Sequence, residues 1–297
     1  MTENDKSLNE IVSTLLAERK RDYRNRIILR LFFFIAFLSL IFFAPISKDI
    51  SISSPHVALI EINGLISSET PASAENIIPL LKRAAENSNA EAIIIKVNSG
   101  GGSATQSKII FDEIRNIKKV SNKTIISIIE DVGASGGYYI AMAADQIIAS
   151  ETSIVGSIGV RLDSYDVRSL FNKLGIKSRT IYSGENKLIL DPFHELTSDQ
   201  YNHVKNLTKE IHDQFISDLI ESRKDKINPK NKLIYSGLFY TGLQAKNNGL
   251  IDDISSVYKL KNEKYKDIKI HKYNSEQNII NQLIQTSLYN FFQLKTY

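Results

Sequence analysis

The chain has 297 residues, 42% of them apolar and 24% charged, with a formal net charge of +4 and no cysteine. That length holds one large domain or two small ones, with enough apolar residues for a sizeable core. The charge excess is too slight for the basic stripe of a nucleic-acid binder, and the missing cysteine excludes disulfides, thiolate metal sites and a Cys nucleophile.

The first feature along the chain is Ile27–Ile46, IILRLFFFIAFLSLIFFAPI. It matches the run of about 20 mostly apolar residues that a helix needs to cross a bilayer. Arg30 can snorkel to the headgroups. Arg19, Lys20, Arg21, Arg24 and Arg26 precede the run, and the positive-inside rule places that flank in the cytoplasm. The expectation is a single-pass anchor in the cytoplasmic (inner) membrane, with the following domain on its outer, periplasmic side. A cleaved signal peptide is the competing reading, but the basic region is long and no A-x-A-like site follows. The expected organisation is a cytoplasmic segment over 1–26, the transmembrane anchor over 27–46, a linker over 47–56, the main domain over 57–255 and a C-terminal extension over 256–297.

Beyond the anchor, Val57–Ile62 reads as a strand closed by the turn pair Asn63-Gly64. Ser73–Asn87 has helical periodicity, and Ala92–Val97 is the continuous apolar run of a buried parallel strand. A glycine-rich loop over Ser99–Ser103 leads to a helix over Thr105–Lys119, with Ile109, Ile110, Ile114 and Ile117 on one stripe. Thr124–Ile129 predicts a strand, Asp131–Gly133 a turn, Ser135–Ala144 a small-residue helix and Ile147–Ala149 a short strand. Further on, Ser164–Leu174 reads as helical, Ser178–Tyr182 as extended, and Leu196–Lys224 as a long helix with cap candidates Thr197 and Ser198. Ile279–Phe292 is amphipathic enough for a terminal helix. Strands alternating with helices predict an α/β domain with a mainly parallel sheet.

Two glycine-rich turns could carry chemistry. Gly133-Ala134-Ser135-Gly136-Gly137 stands between a predicted strand and a predicted helix, where a serine could meet free N–H groups suited to a developing oxyanion. It could equally be a helix-capping serine in a packed site. Gly100-Gly101-Gly102 could cradle phosphate, present N–H groups to a tetrahedral intermediate, or be a plain turn; it lacks the P-loop Lys and Ser/Thr. A serine nucleophile needs a base. His203 and His212 fall among polar residues of the long helix, His56 falls in the linker, and His194 is the histidine worth keeping. A lysine made neutral by burial can replace histidine.

Several spaced motifs resemble those of the signal peptide peptidase A family in its short single-domain form, over about Val57 to Asp252. They are Ala134-Ser135-Gly136-Gly137-Tyr138-Tyr139 with Ala143-Ala144-Asp145, then Gly156-Ser157-Ile158-Gly159-Val160, Ser183-Gly184-Glu185-Asn186-Lys187, and Tyr240-Thr241-Gly242 through Gly249-Leu250-Ile251-Asp252. The resemblance implies Ser135 as nucleophile, Lys187 as general base, Ser157 as the serine that orients the lysine, and Gly101 and Gly136 as oxyanion-hole donors. It also implies an α/β fold of Clp-protease/crotonase-like repeated ββα units and a ring-like homo-oligomer on the membrane. Serine and lysine of one site would then come from neighbouring subunits. The implied activity is a membrane-anchored serine endopeptidase with a Ser/Lys dyad, degrading cleaved signal peptides or other apolar peptides and needing no metal or organic cofactor. One departure is Gly100, where the family loop carries proline; its loss should loosen the loop.

Two other readings compete. The segment around Ser135 also fits G-x-S-x-G, the nucleophile elbow of Ser/His hydrolases, for which Asp191 and His203 could nominally follow. A non-catalytic membrane scaffold of the same fold is the third.

Overall fold

The computed structural model describes residues 16, 18–35, 52 and 54–274. The chain divides into two units, Met1–Ser51 and Ile52–Tyr297. In the first, residues 18–35 form helix α1 with its side chains exposed, Phe32, Phe33 and Phe34 among them. Among the described residues no helix is long and apolar enough to cross a membrane. The expected span continues through residues 36–46, which lie outside the described residues, as do most of the linker and the expected helix over 279–292.

The second unit is a mixed α/β sheet. Its strands are β1 (His56–Asn63), β2 (Ala90–Ser99), β3 (Thr124–Ala134), β4 (Gln146–Ala149), β5 (Ile154–Gly156), β6 (Phe239–Thr241), β7 (Asp253–Ile254) and β8 (Lys269–Lys272). The order is β6-β5-β3-β2-β1-β8, with β4 pairing β3 and β7. All pairs are parallel except β5 with β6. Helices α2 (Ala74–Glu86), α3 (Ala104–Val120) and α4 (Gly136–Ala141) follow the first three strands. Ser73 and Ser103 cap α2 and α3 by accepting from Asn76 N and Gln106 N, which satisfies one orphan amide of each first turn.

Strand β2 shows why its sequence is continuously apolar. Ile93, Ile95 and Val97 join the core beneath α2, α3 and α4, while Ala92 and Ile94 join a second cluster with Tyr265 on the opposite face. Successive side chains point to opposite faces, so a strand covered on both sides needs apolar residues throughout. The smaller cluster is closed by Val257 and Leu260 of the helix over Val257–Lys264.

The structure changes several expected elements. Asp131–Gly133 is strand rather than turn, because β3 runs on to pair Val132, Gly133 and Ala134 with Ile154, Val155 and Gly156 of β5. The extension expected from 256 contributes β8, which pairs with β1, so its described part belongs to the same sheet. The helix expected over 164–174 shortens to α5 (Arg168–Lys173). Residues 178–182 form no strand, for an extended segment becomes a strand only where a partner takes up its hydrogen bonds. Across 160–197 Leu162, Leu170, Leu174 and Ile176 are exposed and Ile181 is 100% exposed. Helix α6 (Ser198–Arg223) follows, with Thr197 and Gln200 in a capping box as expected at Thr197.

The end of α6 is tied to the sheet by Arg223, which is 2% exposed. Its guanidinium donates to both Asp252 carboxylate oxygens at 3.0 Å and to the Gly249 carbonyl. Burial raises the Asp252 pKa, but hydrogen bonds from Arg223, Lys226 and the Ile147 amide outweigh it and hold the carboxyl below its ordinary value. A carboxyl depressed on folding contributes stability that is present above its unfolded pKa, about 3.9, and is lost as pH falls through the folded value. Denaturant unfolding should therefore show stability falling as pH drops below about 4, and Asp252→Asn should flatten that acid limb while lowering stability at neutral pH.

Candidate active site

Ser135 sits where β3 passes into α4, with φ 50° and ψ −121°. Positive φ is uncommon for a residue with a side chain and stores strain that its surroundings must hold. Two backbone bonds hold it here. Ser135 N–H donates to the Gly156 carbonyl at 2.8 Å, and Tyr139 N–H donates to the Ser135 carbonyl at 2.8 Å. Although Ser135 occupies the N-cap position, its side chain makes no capping hydrogen bond. The helix-capping role that the sequence left open for this serine is therefore not what the hydroxyl does.

Ser135 lines a cleft of about 990 Å³ together with Gly101, Gly136 and Ser157. Parallel pairing of Ala134 with Gly156 puts Ser135 and Ser157 at neighbouring strand ends. Ser157 also has positive φ, 53°, and its N–H donates to the Leu238 carbonyl at 2.8 Å. From the other side, the loop after β2 brings Gly101 against the nucleophile turn. With φ +103°, a Cβ at Gly101 would stand 2.7 Å from Gly136 N and 2.8 Å from Ser135 Cβ. No real side chain tolerates that approach, so glycine is required. The loop is fixed by a bond from Ile66 N–H to the Gly101 carbonyl at 3.0 Å.

Four of the five expected site residues thus share one cleft. Lys187 does not line it. The lysine is exposed in a turn in which its N–H donates to the Gly184 carbonyl. His194 also lies elsewhere, hydrogen-bonded to Asp191 Oδ1 at 3.0 Å.

Two cleft residues escaped the sequence. His212, expected on a solvated helix face, lines the cleft, with Nε2 3.1 Å from the Ile158 carbonyl. A carbonyl only accepts, so Nε2 carries the proton and is not free to take one from Ser135. The histidine thus pins α6 to the Ser157 turn. Tyr139 also lines the cleft. Its ring packs on Phe215 and Phe111, and its hydroxyl donates to the buried Asp218 carboxylate of α6. Burial, and next that carboxylate, push its pKa upward, so it remains a neutral wall. Tyr138 is fully buried and donates to the Leu250 carbonyl at 2.7 Å. Helical periodicity marked α6 as polar at His212 because the face it presents to the cleft is only half covered. With Leu65, Leu207, Ile211 and Phe215 also lining it, the cleft offers apolar walls around the serine.

The peptidase family S49 model matches residues 117–271, and the Clp protease model matches residues 59–155. Among curated relatives, a Brucella melitensis protein named Na(+)/H(+) antiporter NhaA is 39% identical over 63% of this chain and 25% of its own length. Protease 4 of Haemophilus influenzae is 31% identical over 67% of this chain and 33% of its own length. The chloroplastic serine protease SPPA of Arabidopsis thaliana is 30% identical over 68% of this chain and 31% of its own. The chain therefore spans a quarter to a third of the length of these relatives, and the antiporter name describes a protein of which it matches only a quarter.

Proposed function

The chain belongs to peptidase family S49, and from that premise we propose that it is a membrane-anchored serine endopeptidase acting on signal peptides or other apolar peptides. The observation that carries the proposal is Ser135 itself, held at positive φ in the cleft with its hydroxyl unused as a cap. Strain of this kind at a cleft serine is worth keeping when it aims a reactive group.

In the proposed mechanism a neutral Lys187, oriented by Ser157, removes the Ser135 proton as Oγ attacks the scissile carbonyl. Gly101 and Gly136 N–H groups receive the oxyanion. Lys187 then protonates the leaving amine and activates water to release the acyl group. Because Lys187 does not line the cleft of its own chain, the lysine is assigned to a neighbouring copy in a ring-like homo-oligomer. The exposed apolar residues of 160–197 support that assembly, since Leu162, Leu170, Leu174, Ile176 and Ile181 find no cover among the described residues and exposed apolar patches mark interaction surfaces. The basic residues of α1 ahead of Ile27 support the bilayer anchor, with the N-terminus in the cytoplasm and the catalytic domain on the outer face. Apolar cleft walls suit apolar peptide segments.

Full-length protein in detergent should be labelled at Ser135 by a fluorophosphonate, located by peptide mass spectrometry, and Ser135→Ala should abolish the label. A chain that assembles but takes no label would favour the scaffold reading.

A further inference from the structure

The Gly101 N–H, which the mechanism needs as an oxyanion donor, is already engaged in the free chain. It donates to Ser99 Oγ at 3.1 Å, and Ser99 Oγ donates in turn to the Gly64 carbonyl at 2.6 Å. Ser99 is 1% exposed. Its place is fixed from two more sides. It pairs with Gly133 at the end of β2, and the start of α4 approaches so closely that a Cβ on Gly137 would lie 2.5 Å from the Ser99 carbonyl oxygen. The same residue therefore touches the loop after β1, the Gly101 loop and the nucleophile helix.

We infer that Ser99 is a positioning residue of the oxyanion hole, its hydroxyl serving as the resting acceptor of the Gly101 N–H and yielding that hydrogen to the oxyanion. This rests on the serine-peptidase reading above. A buried N–H without an acceptor is costly, and Ser99 Oγ supplies one to Gly101. In the handover only hydrogen bonds change. Ser99 keeps its donation to Gly64 and loses one accepted bond, which a hydroxyl with two lone pairs tolerates. A neutral substrate carbonyl competes with the neutral hydroxyl on nearly equal terms, whereas an ionised oxygen is roughly twice as strong an acceptor. The resting bond therefore weighs against ground-state binding of the neutral carbonyl, while the ionised oxygen still takes the N–H.

The test uses full-length protein in detergent, with ¹⁵N-glycine for amide exchange and a peptide boronate that forms a tetrahedral adduct on the serine. In Ser99→Ala the competing acceptor is gone. KM should fall about 5-fold, the worth of one neutral hydrogen bond, with kcat retained. The Gly101 amide should lose exchange protection in the free enzyme and regain it with the boronate. Ser99→Thr, which keeps the hydroxyl, should keep wild-type KM and protection. A kcat loss with unchanged or raised KM in Ser99→Ala, or a Gly101 amide equally protected there, overturns the inference. A wild-type chain that takes no fluorophosphonate, while its Gly101 amide still responds to Ser99→Ala, overturns the peptidase reading and the handover with it, but not the resting bond.

Discussion

Lys187→Met should reduce peptide hydrolysis by about 100- to 10,000-fold, the range for loss of a general base. Methionine keeps the length of the side chain and removes the amine. The loss should fall on kcat, with KM little changed, because the amine acts on the proton and not on substrate binding. The more telling arm is a mixture. Lys187 is absent from the cleft lining of its own chain, so co-expression of Ser135→Ala with Lys187→Met should restore activity that neither variant has alone. With random neighbours, about a quarter of sites in an equal mixture join an intact serine to an intact lysine across a symmetric contact. No recovery in assembled mixtures would place serine and lysine in the same chain. Near-normal activity in Lys187→Met alone would remove the lysine from the mechanism and bring the Ser/His hydrolase reading forward.

Gly101→Ala should lower kcat about 100- to 1,000-fold, as expected when one oxyanion donor is lost. The added methyl would stand 2.7 Å from Gly136 N and 2.8 Å from Ser135 Cβ, at a φ of +103°. The loop must then move away from the nucleophile turn, and its N–H moves with it. Gly100→Ala is the matched control, because a methyl there meets nothing within 4 Å. It should keep most activity and a similar thermal unfolding midpoint. If Gly101→Ala were as active as Gly100→Ala, the Gly101 N–H would have no part in the reaction.

Much of the fold was legible because its physics is local. The continuous apolar run of β2 marks a strand covered on both faces, and apolar periodicity marks α2 and α3. The motif around Ser135 could be read for the same reason: a glycine-rich turn between strand and helix restricts what the backbone can do. What failed to be legible depends on partners distant in sequence. The turn expected at Asp131–Gly133 became strand because β5 supplies a neighbour. The strand expected at 178–182 found no neighbour among the described residues. His212 looked solvated until the Ser157 turn was seen against it, since helical periodicity reports how polar a face is and not what stands opposite.

By itself, then, the sequence determined the strand–helix alternation, the basic flank before an apolar run, and the serine and glycines that must lie at strand ends. These follow from hydrophobic period and from backbone freedom, which each short segment carries within itself. Only the tertiary structure decided that Gly101, Ser135, Gly136 and Ser157 share one cleft, that Lys187 does not line it, and that Ser99 holds the Gly101 N–H. Those facts depend on strand register and loop packing, where residues far apart in the chain must satisfy one another's hydrogen bonds and volume.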